Sequence, residues 1–81
     1  MIELSENETH VLETLYRGWR HHQQTIVTES DLMRRLVFDG FDSDALVPME
    51  SLTKRGLLTW VRPQVIMLTE AGIAEGLRRN L

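Results

Sequence analysis

The chain of 81 residues contains no cysteine. Neither a disulfide framework nor a thiolate zinc site can therefore stabilise its fold. It also lacks any run close to the roughly 20 apolar residues that a membrane-spanning helix needs. Its first residues, MIELSENE, do not show the basic and then apolar pattern of a secretory signal peptide. We therefore expect a cytoplasmic protein with no membrane partner.

A surplus of basic residues is also missing. Nine Lys and Arg residues stand against twelve Asp and Glu residues, which gives a formal net charge of −3. Nucleic-acid-binding domains usually carry a basic surplus, because their cations displace counterions from phosphate. The charge balance thus argues against strong non-specific binding to DNA. A local basic face is still compatible with this net charge, since screening limits the range of each charge's interaction to about one Debye length, roughly 8 Å at physiological salt.

Residues that would form an enzyme site or a metal site are not recognisable either. No nucleophile, base and orienting residue occur in a pattern that would bring them together, so we expect no enzymatic activity. His21 and His22 are adjacent, and adjacent residues on a helix point about 100° apart. No third ligand accompanies them, so we expect no metal and no other cofactor. The arginines around the first two predicted helices are interpreted as solvated faces.

The residues that are present predict one domain over 1–81 with four helices. Ser5 and Glu8 form a capping-box pattern, and Thr28 and Thr69 are typical N-caps. Gly40 is placed to end the second helix. Apolar residues at three- and four-residue spacings predict one buried face for each helix. These faces comprise Val11, Leu12, Leu15, Tyr16 and Trp19; Leu32, Met33, Leu36 and Val37; Leu46, Met49 and Leu52; and Ile73, Ala74, Leu77 and Leu81.

The start of the third helix has two interpretations. Asp42 or Ser43 could cap it, but Pro48 would then lie past the first turn and remove a backbone hydrogen bond. A start near Val47 would instead place Pro48 at the favoured first helical position. Both leave Met49 to Arg55 helical. Phe41, in the turn before this helix, is predicted to fill the core, and Gly56 to end the helix.

Two β-rich segments, Leu57–Val61 and Val65–Leu68, predict an antiparallel hairpin around Arg62-Pro63-Gln64. Ile26 and Val27 are too short for a strand of their own, but they can add an edge to that hairpin. The predicted fold class is therefore α+β.

The order is helix, short strand, helix, helix, two-stranded hairpin and C-terminal helix, which suggests a helix-turn-helix with a wing. Three segments carry a resemblance over most of the chain: TESDLMRRL (28–36), SLTKRGLLTW (51–60) and VIMLTEAG (65–72). In these the chain resembles winged helix-turn-helix transcription regulators, in particular the MarR-like small bacterial and archaeal regulators. The resemblance implies a regulator that binds double-stranded DNA, acting as a homodimer through its first and last helices.

The resemblance also implies which residues contact DNA. Hydroxyls and amides at a helix start can bind phosphate, and an arginine on a wing can enter a narrow minor groove. The implied contacts are Thr28 and Ser30 on the second helix, Ser43, Val47, Ser51 and Lys54 on the third, and Arg62 and Gln64 on the wing. The alternative is purely structural, with Thr28 and Ser43 acting only as caps and Lys54 only opposing a helix dipole.

The third helix departs from the pattern of the family. Residues 42–51 contain Asp42, Asp44 and Glu50 but no Lys or Arg, and the wing is short. Carboxylates repel phosphate, so these features favour an alternative function: a winged-helix module that binds another protein. Its contact residues would be Val47, Pro48 and Trp60. Trp60 also has a structural interpretation, in which it packs beneath the first helix.

Overall fold

A computed structural model describes residues 3–81, which form four helices and three strands. In chain order these are α1 (Glu6–His22), β1 (Ile26–Thr28), α2 (Glu29–Phe38), α3 (Leu46–Lys54), β2 (Leu58–Arg62), β3 (Val65–Leu68) and α4 (Glu70–Arg79). The α+β class is therefore confirmed. Within the described part of the chain, each helix is too short or too polar to cross a membrane.

Side-chain caps begin three of the helices, as the sequence predicts. The Ser5 hydroxyl accepts from the amide of Glu8, while the Glu8 carboxylate accepts from the amide of Ser5. Thr28 and Thr69 accept from backbone amides three residues further along the chain. Each such cap stabilises its helix by about 1 kcal/mol, because it satisfies an amide that has no partner within the helix.

The three strands form one antiparallel sheet in the order β1-β3-β2. Arg62 lies opposite Val65, so the chain reverses through Pro63 and Gln64 alone. Gln64 takes a positive φ of 66°, which this tight reversal requires. The hairpin is therefore confirmed, but it starts one residue later than predicted. Leu57 is not in the strand because its amide donates to the carbonyl of Leu52, at the end of α3.

The core lies where α1 contacts α2, α3 and α4 and where the inner face of the sheet covers the helices. Phe41 is buried in this core, as predicted. The fully buried large side chains come from α1, α2, α3, the hairpin and the residue before it: Val11, Leu12, Leu32, Leu36, Met49, Leu52, Leu57, Leu58 and Ile66. The apolar spacing of the helices thus identifies most of the core.

Four residues predicted to be buried are exposed instead: Val37, Leu46, Ala74 and Leu77. Val37 is 69% exposed, because Leu32 and Leu36 make the contact of α2 with the core and Val37 points about 100° away from Leu36. Leu77 is exposed because α4 meets α1 through Gly76, where an added Cβ would overlap the ring of Tyr16. This close approach turns the next residue, Leu77, towards solvent.

The start of α3 matches neither sequence interpretation. Its N-cap is Ala45, so neither Asp42 nor Ser43 caps the helix, and Pro48 is its third residue instead of its first. The first four amides of a helix have no partner within it, so proline costs no hydrogen bond there. The amide of Met49 makes the first helical bond, to the carbonyl of Ala45 at 3.0 Å. Leu46, predicted to be buried, lies on the exposed side of this first turn.

A buried carboxylate, that of Glu75, stabilises the last two turns of α4. It accepts hydrogen bonds from the guanidinium groups of Arg78 and Arg79. The bond from Arg78, followed by that from Arg79, lowers the pKa of Glu75 to about 2, although burial opposes this by raising it. The ionised carboxylate is therefore the form that the folded protein favours.

We predict that Glu75 makes folding depend on acidity. Because its pKa falls on folding, its contribution to stability is complete above the ordinary value of 4.5 and is lost as the pH falls towards about 2. Urea unfolding measured over this pH range should show a smaller loss of stability for Glu75→Gln than for the wild type. Equal slopes for the two proteins would contradict the prediction.

Candidate functional site

The hairpin turn lies beside the start of α2. The amide of Glu29 donates to the carbonyl of Gln64 at 2.8 Å, which joins the two segments. Thr28, Ser30 and Gln64 line one groove of about 640 Å³ together with Pro63. Three of the residues implied to contact DNA are thus brought together.

Arg62 lies close to this group, across the sheet. Its strand partner is Val65, which also pairs with Thr28. Arg62, Thr28 and Arg34 line a neighbouring groove of about 400 Å³. Four predicted contact residues, Thr28, Ser30, Arg62 and Gln64, therefore share one edge of the molecule, which we call the hairpin edge. Arg34 adds a second cation to it. The Thr28 hydroxyl accepts from the amide of Asp31, which agrees with its structural role as a cap.

The predicted residues of α3 lie elsewhere. Ser43, Val47 and Ser51 line a groove of about 380 Å³ between α3 and the start of α1, and Glu8 also lines it. Lys54 is exposed at the end of α3 and lines neither groove at the hairpin edge. The predicted site is therefore divided between the hairpin edge and the exposed part of α3.

Ser51 is committed to a contact within the protein. Its hydroxyl donates to Oε2 of Glu8 at 2.5 Å, and Oε1 of Glu8 accepts from the amide of Ser5 at 2.9 Å. The guanidinium of Arg55 lies 3.5 Å from the same carboxylate. The Ser51 hydroxyl, the Ser5 amide and Arg55 together lower the pKa of Glu8, against burial, which raises it. We call these four residues the Glu8 cluster.

Sequence reasoning identified only the capping half of the Glu8 cluster. Ser51 is 43 residues from Glu8 along the chain. A hydroxyl and a carboxylate at that separation show no spacing pattern that would pair them. The contact instead depends on how α3 packs against α1, which is tertiary information.

The exposed side of α3 lies opposite its buried residues, Met49 and Leu52. It presents Val47, which is 67% exposed, together with Glu50 and Lys54. Asp42 and Asp44 are exposed in the segment before the helix. We call these five residues the α3 face. It contains three carboxylates, one cation and one apolar side chain.

Two residues of the predicted protein contact point inward. Pro48 is buried, so the expectation that it stands exposed is wrong. Trp60 is half-buried and packs against the core, on the same strand face as the buried Leu58. It thus packs inward, but the main contacts of its strand are with β3 and α3. Among the residues proposed for a protein partner, Val47 alone is fully available.

A third groove, of about 530 Å³, runs between the second half of α1 and α2. Its lining includes the cations Arg17, Arg34 and Arg35, the carboxylates of Asp31 and Asp39, and also His21, His22 and Phe38. Gly18 forms part of its floor, and an added Cβ there would lie 3.0 Å from the guanidinium of Arg35. Most of the basic residues of the first two helices thus line one groove, together with two carboxylates. We call it the α1–α2 groove.

Within residues 3–81, no three His, Cys, Asp or Glu side chains lie close enough to hold a metal ion. Comparison with protein-family models, with curated protein sequences and with solved structures finds no match for this chain. The residues and topology of the chain itself are therefore the basis for proposing a function.

We predict that the Glu8 cluster fixes α3 on α1. Ser51→Ala should lower the free energy of unfolding by about 1–2 kcal/mol, because it leaves a buried carboxylate without one donor. Ser30→Ala is the matched control, since that serine is exposed and should change stability by less than about 0.5 kcal/mol. Urea denaturation measures both. Equal effects of the two substitutions would contradict the assignment.

Proposed function

We propose that this chain is a winged-helix domain that binds DNA and regulates transcription. The observation that carries the proposal is topological. Two helices, α2 and α3, lie between β1 and the hairpin, and β1 pairs with β3 to give the sheet order β1-β3-β2. This arrangement is compatible with a helix-turn-helix that has an attached wing. Function is inferred here from analogy of fold, with the site residues as support.

The proposed DNA contact covers the hairpin edge and the exposed side of α3. Thr28, Ser30 and Gln64 supply polar groups at the start of α2, where partial positive charge from the helix dipole favours phosphate. Arg62 and Lys54 supply cations. Ser51 is left out of the contact, because its hydroxyl is already bound to Glu8.

Charge limits the strength of this contact. Glu29 and Asp31 lie in the first turn of α2, and Glu50 lies on the α3 face. One copy therefore offers few unopposed cations, and we expect it to bind weakly. A homodimer would double the contact. The exposed Leu77 on α4 supports the proposed pairing through the first and last helices.

A second candidate function is recognition of another protein. It is favoured by the composition of the α3 face, where exposed Val47 lies among carboxylates. Such a surface is repelled by phosphate but suits a partner that presents cations and an apolar pocket. Val47 would then be the central contact of the interface.

The two candidates differ in the effect of salt. Fluorescence anisotropy with a labelled duplex should show binding at about 50 mM salt that weakens as salt rises, with a slope of about one unit per phosphate contacted. Arg62→Ala should weaken binding and lower the slope by about one unit. Arg20→Ala, which removes an exposed cation from α1, is the matched control and should change neither.

Absence of binding at about 50 mM salt, or a slope near zero, would contradict the proposal of DNA binding. The protein-binding candidate predicts that outcome. It also predicts that Val47→Asp abolishes capture of a partner that the wild type retains.

A further inference from the structure

The α1–α2 groove carries cations that are only partly used within the molecule. Arg34 has a side chain that is 76% exposed, and its contact with Asp31 is long, at 3.5 Å. Arg35 is held more firmly, 2.7 Å from Asp31 and 2.7 Å from Gln24. Arg35 is therefore held by Asp31 and Gln24, whereas Arg34 is exposed and only weakly paired with Asp31.

An exposed aromatic residue lies at the edge of this groove. Phe38, at the end of α2, is 90% exposed although it lines the groove. Its neighbour Val37 is also exposed. Two adjacent large apolar side chains in water, next to cations, are typical of a contact surface.

The α3 face has the complementary character. Asp42 and Glu50 form no ion pair with any residue of the described segment 3–81. Val47 and Leu46 lie beside these carboxylates and are exposed. Unpaired anions with apolar neighbours thus occupy one face, whereas the other carries one exposed and weakly paired cation, Arg34, on the same groove as Phe38.

We propose that the α3 face of one copy docks into the α1–α2 groove of a second copy of this chain. Arg34 would pair with Glu50 of the next molecule, and Phe38 would pack against its Val47. Opposite charges set the orientation, and the apolar pair supplies the area removed from water.

This contact is head-to-tail. The α1–α2 groove and the groove beside the α3 face share no lining residue, so each copy offers two different surfaces. A contact between different surfaces yields a ring if it closes and a growing chain if it does not.

The proposed contact between copies goes beyond DNA binding and does not depend on it. One copy cannot make both contacts through α3 at once, since DNA and a neighbour would cover the same face.

The contact is expected to be weak. The described surface measures 5117 Å², and a contact of standard size removes about 800 Å² from each partner. A contact of standard size would therefore cover about a sixth of this surface. The residues proposed to pair lie on only two or three helical turns, which is a smaller area. Association should therefore appear at high protein concentration and low salt, because screening weakens exposed charge pairs.

Sedimentation velocity over a concentration series, without DNA, tests the proposal. The average mass of the wild type should rise with concentration, pass beyond that of a dimer, and fall at high salt. Arg34→Glu and Glu50→Arg should each weaken association by tenfold or more. An equimolar mixture of the two variants should recover it, because each supplies the intact surface that the other lacks.

Arg20→Glu is the control for charge, since it makes the same change at an exposed position outside both surfaces. It should associate as the wild type does. Phe38→Ser tests the apolar part and should also weaken association. Circular dichroism of each variant checks that the fold is retained.

Three results would overturn the proposal: a wild type that stays monomeric at every concentration, association that stops at a dimer and is unaffected by Arg34→Glu, or a mixture of the two variants that fails to recover association. None of these bears on DNA binding, which is measured separately by anisotropy.

Discussion

The carboxylate of Glu8 connects the beginning of the fold to its third helix. One of its oxygens caps α1 and the other binds the hydroxyl of Ser51 on α3. The N-cap of α3 is Ala45, which makes no side-chain cap bond, and the carboxylate of Asp44 accepts from the amide of Leu46 instead. Tertiary contacts fix how α3 lies on the rest of the molecule. Met49 and Leu52 provide the apolar contacts, and Glu8 provides the polar one. The rotation of α3 about its own axis is thereby fixed.

This rotation decides which residues the protein presents to other molecules. With Ser51 turned towards α1, the side of α3 that remains free carries Val47, Glu50 and Lys54. The short hairpin then sets the second part of the surface. Because its turn lies next to the start of α2, Arg62 and Gln64 lie beside that helix start and not on a projecting wing. The hairpin therefore forms a short edge of the molecule that carries few cations. Both proposed contacts, with DNA and with a second copy, follow from this arrangement.

Local features of the chain could be predicted from the sequence. Helix caps at Ser5, Thr28 and Thr69, and the reversals at Gly40 and Gly56, depend on residues within a few positions of each other. The antiparallel hairpin could also be predicted from local sequence, because turn residues between two β-rich segments specify it.

Features that depend on packing were harder to predict. Periodicity marks Val37 and Leu77 as apolar but does not say that Leu36 and Gly76 already fill the contact surfaces. Pro48 is buried and not exposed as predicted. The start of α3 falls between the two positions that local rules favour, so Pro48 is the third residue of the helix. The candidate site shares this difficulty. Ser51 has the residue type of a DNA contact, and only the packing of α3 on α1 shows that its hydroxyl is occupied.

The central claim is that the hairpin edge and the exposed side of α3, although they are separate in the structure, both contact the same DNA duplex. It is tested most directly by two-dimensional NMR of the isotope-labelled protein during titration with a duplex. The account predicts that amide signals of Thr28, Ser30, Lys54, Arg62 and Gln64 shift together and saturate, while signals of the Glu8 cluster change little. Shifts confined to the α1–α2 groove, or no shifts at low salt, would contradict it.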